Sequence, residues 1–252
     1  MIPNLLNIVF DLDGTIINNG EPLCERKVHE IKDLSAKSNL LFASARPVRD
    51  MLPLIPEPLR SSTFIGCNGG QAWKQGELIF SDRFDKHDVL QVILYLQSRL
   101  VPYILDGDWG YSLSPRTHPF HEYIQTLSND LKSEDEIMSL GVTKVLVLDM
   151  SIKQEVEALL KSSHLQFSVH PHSSENMFDL TPNDTNKAKA LSKLDVDFNR
   201  TVAVGNDHND FSMLDSSRVA VFVEGRSVYR NADHLCSFDE VIPLVRDILG
   251  SK

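Results

Sequence analysis

Residues 5–15 read Leu-Leu-Asn-Ile-Val-Phe-Asp-Leu-Asp-Gly-Thr, so five apolar side chains run directly into two aspartates. The apolar run predicts a buried strand. Side chains two apart on an extended backbone point the same way, so we expect Asp11 and Asp13 to project together from its carboxyl end. Gly14 lets the chain turn there. Open α/β sheets bind their ligands at that end of the strands.

Two crowded carboxylates repel each other unless a cation or a proton lies between them, so the pair indicates a functional site. The alternative is an ordinary strand followed by an Asp-Gly turn. A functional reading requires matching groups further along the chain. An amphipathic helix predicted over residues 24–37 leads to a second apolar strand over residues 40–43.

A strand, a helix and a strand at this spacing make a right-handed unit with parallel strands. Ser44 is therefore expected at the same sheet edge as Asp11, although a plain helix N-cap is its other interpretation. A third apolar strand, residues 64–67, breaks into Asn68 and Gly69. Asn-Gly is also the strongest hairpin-turn dipeptide, so these two residues are only candidates for lining a site.

The last two candidate groups follow in the C-terminal part of the chain. Lys187 falls in the first turn of a predicted helix, where its charge opposes the helix dipole. An ammonium beside free backbone N–H groups is suited to binding a phosphate. A fourth strand, residues 201–204, then ends at Gly-Asn-Asp-His-Asn-Asp, residues 205–210.

In this order, the four groups resemble the motifs of the haloacid dehalogenase (HAD) superfamily of phosphotransfer enzymes, in its Cof-like, type IIB sugar-phosphatase branch. The first motif matches residues 11–15 and the second the Ala-Ser-Ala-Arg-Pro string of residues 43–47. The third matches Lys187 and the fourth residues 205–210. In the second motif the branch usually has Gly at the position of Ala45.

The resemblance implies that Asp11 is the nucleophile, that Asp13 is the general acid and base, and that Mg²⁺ is the cofactor. The residues implied to bind the phosphoryl group are Ser44, Lys187 and Asn209. Those implied to hold the metal are Asp11, Asp13, Asn206 and Asp210. Further positions that would line the site are Arg46, Asn68, Gly69 and Asp207.

The fourth motif departs from the family pattern, which is usually Gly-Asp-Gly-x-Asn-Asp. Aligning Gly205, Asn209 and Asp210 with that pattern puts Asn206 at the direct metal ligand and Asp207 in the Gly position. Putting Asp207 at the ligand position instead leaves the spacing to Asp210 one residue short. An amide oxygen is an acceptable Mg²⁺ ligand but supplies one negative charge fewer, so weaker metal affinity or loss of activity is expected.

The segment of residues 82–174 has its own pattern of helices and short strands, which is typical of an α+β layer. In HAD enzymes, which the chain resembles, a cap domain can be inserted either between the first two motifs or after the second. Because the 30 residues between Asp13 and Ser44 suffice only for a crossover, the resemblance implies that this later segment is the cap. The predicted fold class is α/β. It comprises a Rossmann-like parallel sheet core, residues 1–81 and 175–252, with an inserted α+β cap domain.

The composition limits the partners. A formal net charge of -10 argues against nucleic acid or an anionic membrane as the main partner, because both attract clustered Lys and Arg. Three cysteines without a Cys-x-x-Cys pair suggest neither a disulfide framework nor a zinc site, and the predicted location is cytoplasmic. The His118/His121 and His170/His172 pairs lack a third ligand at matching spacing.

The predicted function is Mg²⁺-dependent hydrolysis of small phosphate monoesters, with sugar phosphates as the expected class, through an aspartyl-phosphate intermediate. The predicted partner is thus a small phosphorylated metabolite. One alternative is a phosphotransferase or mutase acting on sugar phosphates. The other is a protein of the same fold that binds a phosphorylated ligand without turnover. The sequence leaves the substrate and the oligomeric state open.

Overall fold

The structure is a computed structural model and describes residues 6–172, 175–225 and 227–250. Leu5 and Ser174, at the edges of two predicted segments, lie outside these ranges. The described residues form thirteen strands, in chain order β1 (Leu6–Asp11), β2 (Ser38–Ala43), β3 (Thr63–Gly66), β4 (Gln71–Lys74), β5 (Glu77–Ser81), β6 (Tyr103–Asp106), β7 (Tyr111–Leu113), β8 (Lys144–Val147), β9 (Phe167–Pro171), β10 (Phe178–Pro182), β11 (Thr201–Gly205), β12 (Val219–Val223) and β13 (His234–Cys236).

The helices pack against two separate sheets. Within the same described residues there are nine α-helices, α1 (Glu25–Ser35), α2 (Val48–Met51), α3 (Lys86–Ser98), α4 (Pro119–Leu127), α5 (Glu134–Leu140), α6 (Lys153–Ser162), α7 (Lys187–Lys193), α8 (Phe211–Ser216) and α9 (Val241–Gly250). None of the helices in these ranges combines the length and the apolar character that crossing a membrane requires.

The large sheet has the strand order β13-β12-β11-β1-β2-β3-β4-β5. The six strands from β13 to β3 are parallel, whereas β4 and β5 extend the sheet as antiparallel hairpins. β1 lies between β2 and β11, with Asp11 opposite Ala43 and Phe10 opposite Val204. The carboxyl ends of these three strands therefore meet at one edge, as the sequence predicts.

Both faces are covered at the centre of the large sheet, so β11 and β12 are mainly apolar and buried, whereas β5 at the edge is largely exposed. Alternate residues of β1 enter two different cores. Ile8 and Phe10 belong to one with α1 and α9, whereas Val9 belongs to another with α7 and α8. All three β1 side chains are fully buried. This burial fixes the position of the strand tip that carries Asp11.

The small sheet is antiparallel, with the order β7-β6-β8-β10-β9, and its core includes α3 and α6. The predicted α/β fold class, with a mainly parallel large sheet, is confirmed. The apolar pattern of residues 177–182 predicts a return to the core, and this is wrong. β10 pairs with β8 and β9 inside the small sheet. The division into core and cap domains stays a prediction, and this pairing moves its second boundary beyond Pro182.

Candidate active site

Asp11 ends β1, and its carboxylate is buried. The hydroxyl of Thr15 donates to Asp11 Oδ2 at 2.8 Å. The intervening turn is closed by the Ile17 N–H, which donates to the Leu12 carbonyl at 2.9 Å. It needs a left-handed residue, supplied by Gly14 at φ 80°. The Asp-x-Asp-Gly-Thr string thus holds one oxygen of Asp11 in place from within its own turn.

The other oxygen of Asp11 contacts a lysine 176 residues away in the chain. Lys187 Nζ donates to Asp11 Oδ1 at 2.5 Å and to Asp210 Oδ1 at 2.6 Å. Lys187 and Asp210 are fully buried, and Asp11 is 5% exposed. We call Asp11, Lys187 and Asp210 the strand-tip cluster. Three predicted site residues from distant parts of the sequence therefore meet in direct contact.

The strand-tip cluster has more negative than positive charge, because one ammonium faces two carboxylates. Burial, and then repulsion by Asp210, raise the pKa of Asp11 to about 7 despite the attraction of Lys187. Burial alone would lower the pKa of Lys187, but Asp11 and Asp210 hold it above its usual range. The site therefore favours an additional cation or proton.

Asp13 has a different partner. Arg46 Nε and Nη2 donate to its two carboxylate oxygens at 2.7 and 2.9 Å. Arg46 Nη1 donates to the Tyr123 hydroxyl of α4 at 3.0 Å. Burial opposes the charge of Arg46, but these bonds raise its pKa. The structure thus brings the predicted site residues Asp13 and Arg46 together and adds Tyr123, which no pattern in the sequence singles out.

Ser44 lies just beyond β2, buried at the same edge as Asp11. Its main-chain N–H donates to the Ile65 carbonyl of β3 at 2.9 Å. Its hydroxyl accepts from the Arg46 N–H at 3.1 Å, so it orders the second motif. Ser44 is not the N-cap of α2, because that position belongs to Pro47.

The predicted lining residues Asn68 and Gly69 lie in a short turn between β3 and β4, so the Asn-Gly pair both connects a hairpin and faces the site. Asn68 Nδ2 donates to Asp179 Oδ2 at 2.9 Å, and Asn68 Oδ1 accepts from Asn209 Nδ2 at 3.0 Å. Gly69 has φ 105°, and a Cβ there would lie 2.3 Å from the Asn186 carbonyl oxygen. The turn therefore packs directly against the start of α7.

The loop after β11 is organised by Asp210. Its Oδ2 accepts from the N–H groups of Asn206 at 2.9 Å and Asp207 at 3.1 Å. The Asn206 side chain packs against Gly14, because a Cβ on that glycine would meet its amide nitrogen at 2.1 Å. The Asp207 carboxylate accepts from the His208 N–H at 2.8 Å and from the Ser227 hydroxyl. Asn206, and not Asp207, therefore adjoins the first motif.

The residues at this edge fit a hard divalent cation. No group of three or more His, Cys, Asp or Glu in the described ranges is arranged to hold a metal ion. The predicted ligand set combines the Asp11 carboxylate, the Asp13 main-chain carbonyl and the Asn206 amide, with the Asp210 carboxylate in support. All of these are oxygen donors, which Mg²⁺ prefers. The excess negative charge of the strand-tip cluster acts in the same direction.

A second set of buried charges joins the two sheets. Arg49 in α2 donates to both carboxylate oxygens of Asp50, at 2.7 and 2.9 Å. It also donates to Asp106 Oδ1 at 2.8 Å and to the Trp109 carbonyl at 2.9 Å, both on the small-sheet side. Asp106 is thus a structural partner of Arg49, and no local pattern in the sequence predicts this pairing.

Lys144 of β8 extends this set. Its Nζ lies 3.5 Å from Asp106 Oδ2 and 3.3 Å from Asp179 Oδ1. His172 Nε2 lies 3.0 Å from Asp179 Oδ2. Burial would lower the pKa of His172, but Asp179 raises it to about 9. Burial opposes ionisation of Asp179 too, yet Lys144 and then His172 hold its pKa well below the usual range. We call Arg49, Asp50, Asp106, Lys144, His172 and Asp179 the interface cluster.

The buried carboxylates lie at the carboxyl edge of a parallel sheet, which is where α/β proteins bind their ligands. The model of the haloacid dehalogenase-like hydrolase family matches residues 8–239. The chain belongs to this family. The predicted membership of the HAD superfamily is confirmed, and with it the prediction of a hydrolase.

Solved structures share the fold over nearly the whole chain. TM0651 from Thermotoga maritima superposes with a TM-score of 0.79 at 19% identity, covering 98% of this chain and 97% of that one. A haloacid dehalogenase-like hydrolase from Bacteroides thetaiotaomicron gives 0.80 at 20%, covering 97% and 100%. The HAD subclass IIB sugar phosphatase BT4131 gives 0.74 at 16%, covering 96% and 98%. No curated protein matches the sequence significantly.

Proposed function

We propose that this protein is a Mg²⁺-dependent phosphatase that hydrolyses small phosphate monoesters through an aspartyl-phosphate intermediate. The observation that carries the proposal is the strand-tip cluster, in which two buried carboxylates share the Lys187 ammonium beside the second acid, Asp13. Uncompensated buried charge is costly to maintain, and sites of this kind are typical of catalysis.

In the first step an oxygen of Asp11 attacks phosphorus, and the bond to the ester oxygen breaks. The leaving oxygen takes the electron pair of that bond and a proton from Asp13. In the second step Asp13 accepts a proton from water while the water oxygen attacks phosphorus. This releases the Asp11 carboxylate and inorganic phosphate.

The phosphoryl group would be held by Ser44, Lys187 and Asn209. Lys187 is buried at the start of α7 and supplies positive charge, while the Ser44 hydroxyl lies at the same edge. Stabilising charge by preorganised groups of this kind is the largest part of phosphoryl-transfer catalysis. The chain's own residues thus provide the nucleophile, the proton donor and the phosphate cradle.

The Asp11 carboxylate, the Asp13 main-chain carbonyl and the Asn206 amide would hold Mg²⁺, with Asp210 in support. When bound, the ion supplies the positive charge that the strand-tip cluster lacks, which keeps Asp11 ionised and offsets charge on the phosphate. Asn206 gives this ion one charge fewer than a carboxylate would.

The expected substrate is a small phosphorylated metabolite, with sugar phosphates favoured. Support comes from the similarity to BT4131, which is described as a sugar phosphatase of HAD subclass IIB. The net charge of -10 disfavours nucleic acid and anionic membranes as partners, and a cytoplasmic location agrees with the absence of any disulfide signal.

A second candidate function is binding of a phosphorylated ligand without turnover, and Asn206 favours it. The replacement of a carboxylate ligand by an amide weakens the site for Mg²⁺, and a sufficiently weak site would leave the nucleophile protonated. The intact contacts of Asp11, Lys187 and Asp210 favour the catalytic function instead.

The test is phosphate release from a panel of phosphate monoesters, including sugar phosphates and 4-nitrophenyl phosphate, across a Mg²⁺ titration. Asp11→Asn should reduce turnover at least about a thousandfold, since it removes the nucleophile. Asp33→Asn is the matched control, because Asp33 is an exposed carboxylate on α1. Absence of Mg²⁺-dependent release from every ester, combined with retained ligand binding, would favour the second candidate.

A further inference from the structure

Asp13, which acts first as the acid and then as the base of the proposed reaction, is linked to the small-sheet side by hydrogen bonds. Both carboxylate oxygens of Asp13 accept from Arg46, at 2.7 and 2.9 Å. The remaining terminal nitrogen of Arg46 donates to the Tyr123 hydroxyl at 3.0 Å. Asp13 and Arg46 belong to the large-sheet side, whereas Tyr123 is on α4. The chain Tyr123–Arg46–Asp13 therefore crosses between the two units.

The side chain of Tyr123 is tightly packed, and so is its hydroxyl. Its ring packs against a hydrophobic cluster of the small sheet that includes Ile104 and Leu146. Its hydroxyl reaches Gly20, where a Cβ would lie 3.0 Å from the Tyr123 oxygen and 3.8 Å from Arg46 Nη2. Gly20 has φ 67°, so a side chain there is disfavoured on conformational grounds too.

We propose that Tyr123 is a positioning residue, which couples closure of the small-sheet unit to the orientation of the Asp13 carboxyl group through Arg46. This inference rests on the proposed phosphatase function. The planar guanidinium fork sets the plane of the Asp13 carboxyl group. Tyr123 holds the fork from its other side, so the fork cannot rotate toward the phosphate.

The proton that Asp13 transfers explains why orientation matters. When Asp13 carries this proton, one of its oxygens still accepts from Arg46 and the protonated oxygen faces the ester oxygen. As the bond from phosphorus to that oxygen breaks, the electron pair stays on the ester oxygen and the proton moves onto it. Without Tyr123, Arg46 and Asp13 gain rotational freedom, and proton transfer becomes less probable at the moment of bond breaking.

This role makes the effect of Tyr123 depend on the leaving group. An alkoxide is a poor leaving group and needs the proton, whereas 4-nitrophenolate is stable enough to leave without it. A residue that only supports the fold would affect both esters equally. Asp13 also activates water in the second step, which is the same for both esters, so the comparison uses kcat/KM, which reports the first step alone. The ratio of the two kcat/KM values therefore separates positioning from a structural role.

The experiment compares the wild type with Tyr123→Phe on glycerol phosphate and on 4-nitrophenyl phosphate at saturating Mg²⁺. Losing one hydrogen bond should lower kcat/KM, which reports the formation of the aspartyl-phosphate alone, about tenfold for glycerol phosphate and less than about twofold for 4-nitrophenyl phosphate. Phe keeps the ring, so packing is preserved. Tyr95→Phe is the matched control and should leave both rates unchanged, because the Tyr95 hydroxyl donates to Glu155 on the exposed side of α3.

Folding of the variant is checked with the two tryptophans of the chain. Trp73 of β4 and Trp109 beside β7 are in edge contact across the two units, with ring centroids 5.0 Å apart, so unchanged emission indicates unchanged closure. Equal loss on both esters, or no loss on either, would overturn the inference. Failure of the proposed function would differ, since the wild type itself would release no phosphate, and the inference would then fall with it.

Discussion

Two buried clusters of charged side chains differ in how completely their charges cancel. The strand-tip cluster has two carboxylates and one ammonium, so it carries an excess of one negative charge. The interface cluster has three carboxylates, Asp50, Asp106 and Asp179, which face two basic side chains and His172. Because the pKa of His172 is raised to about 9, this cluster is neutral at physiological pH.

The difference shows which cluster is built to receive something. In the strand-tip cluster burial, and then repulsion by Asp210, raise the pKa of Asp11, and the one ammonium of Lys187 does not offset them. In the interface cluster the pKa of Asp179 is lowered, since its partners already supply that charge. We therefore interpret the strand-tip cluster as a site for a cation and a phosphate, and the interface cluster as a set of contacts that joins the two sheets.

The largest effect is expected from Lys187→Met, which takes the ammonium from two buried carboxylates. The free energy of unfolding in EDTA should fall by about 3–5 kcal/mol, the usual cost of leaving a buried charge unpaired. Added Mg²⁺ should restore part of the loss, because the ion replaces the missing charge. Urea unfolding with and without Mg²⁺ measures both, and an equal loss under the two conditions would contradict a cation site.

Arg49→Met is the matched control for that prediction, because it leaves Asp50 and Asp106 without their guanidinium. The expected loss is smaller, about 2 kcal/mol, since separation of the two sheets admits water to these carboxylates. Mg²⁺ should not restore it. Rescue of this variant by Mg²⁺ would mean that both clusters bind the ion.

The next largest effect is on how the free energy of unfolding depends on pH, through His172 of the interface cluster. Because the pKa of His172 is raised to about 9, its stabilising contribution is fully present below the unfolded value near 6.5. This contribution is lost as the pH rises through 9, where the folded state releases the proton. From pH 6 to pH 10, the wild type should lose on the order of 2 kcal/mol more unfolding free energy than His172→Gln.

Urea unfolding of both proteins at the two pH values checks this, and titrations common to both cancel in the difference. His208→Gln serves as a control, because His208 is exposed and outside the cluster. Parallel pH dependence in wild type and His172→Gln would show that the Asp179 partner does not hold the proton.

The smallest effect is expected from Asn206→Asp, which adds one carboxylate to the cluster that already lacks positive charge. Mg²⁺ affinity should increase about tenfold. Calorimetric titration and the Mg²⁺ dependence of turnover measure it. Asp207→Asn should change neither, because the Asp207 carboxylate is bonded to Ser227 and the His208 N–H. The reverse pattern would assign the ligand position to Asp207.

Most of the strand-tip site could be predicted because its residues end parallel strands. A strand is recognisable from its own apolar run, and parallel strands bring their carboxyl ends together whatever lies between them. The common position of Asp11, Ser44 and the loop that contains Asp210 thus follows from local sequence plus one rule of sheet geometry, whereas the roles of these residues are implied by the resemblance and stay predictions. The contacts of Lys187 agree with its predicted place, although its ligand-binding role stays a prediction.

The interface cluster could not be predicted, because Arg49, Asp106, Lys144 and Asp179 come from four segments with no shared local pattern. The predicted sheet of residues 178–182 was wrong for a similar reason, because the apolar pattern of a strand does not determine which sheet it joins. Other misses had a signal. Ser133 and Glu136 form a capping box at the start of α5, and Ser followed by Glu three residues later is visible in the sequence.

β1 pairs with β2, which is close to it in the sequence, and with β11, which is far from it in the sequence. This arrangement has a consequence for biosynthesis. Asp11 meets its lysine across 176 residues, and Asn7 bonds Thr201 across 194. A ribosome adding roughly 5–20 residues per second needs on the order of ten to forty seconds to cover such an interval. In this interval β2 and then the strands of the small sheet are synthesised, and α7 and β11 follow them. The candidate active site is therefore completed late in synthesis, and a chain interrupted before α7 lacks the ammonium of Lys187.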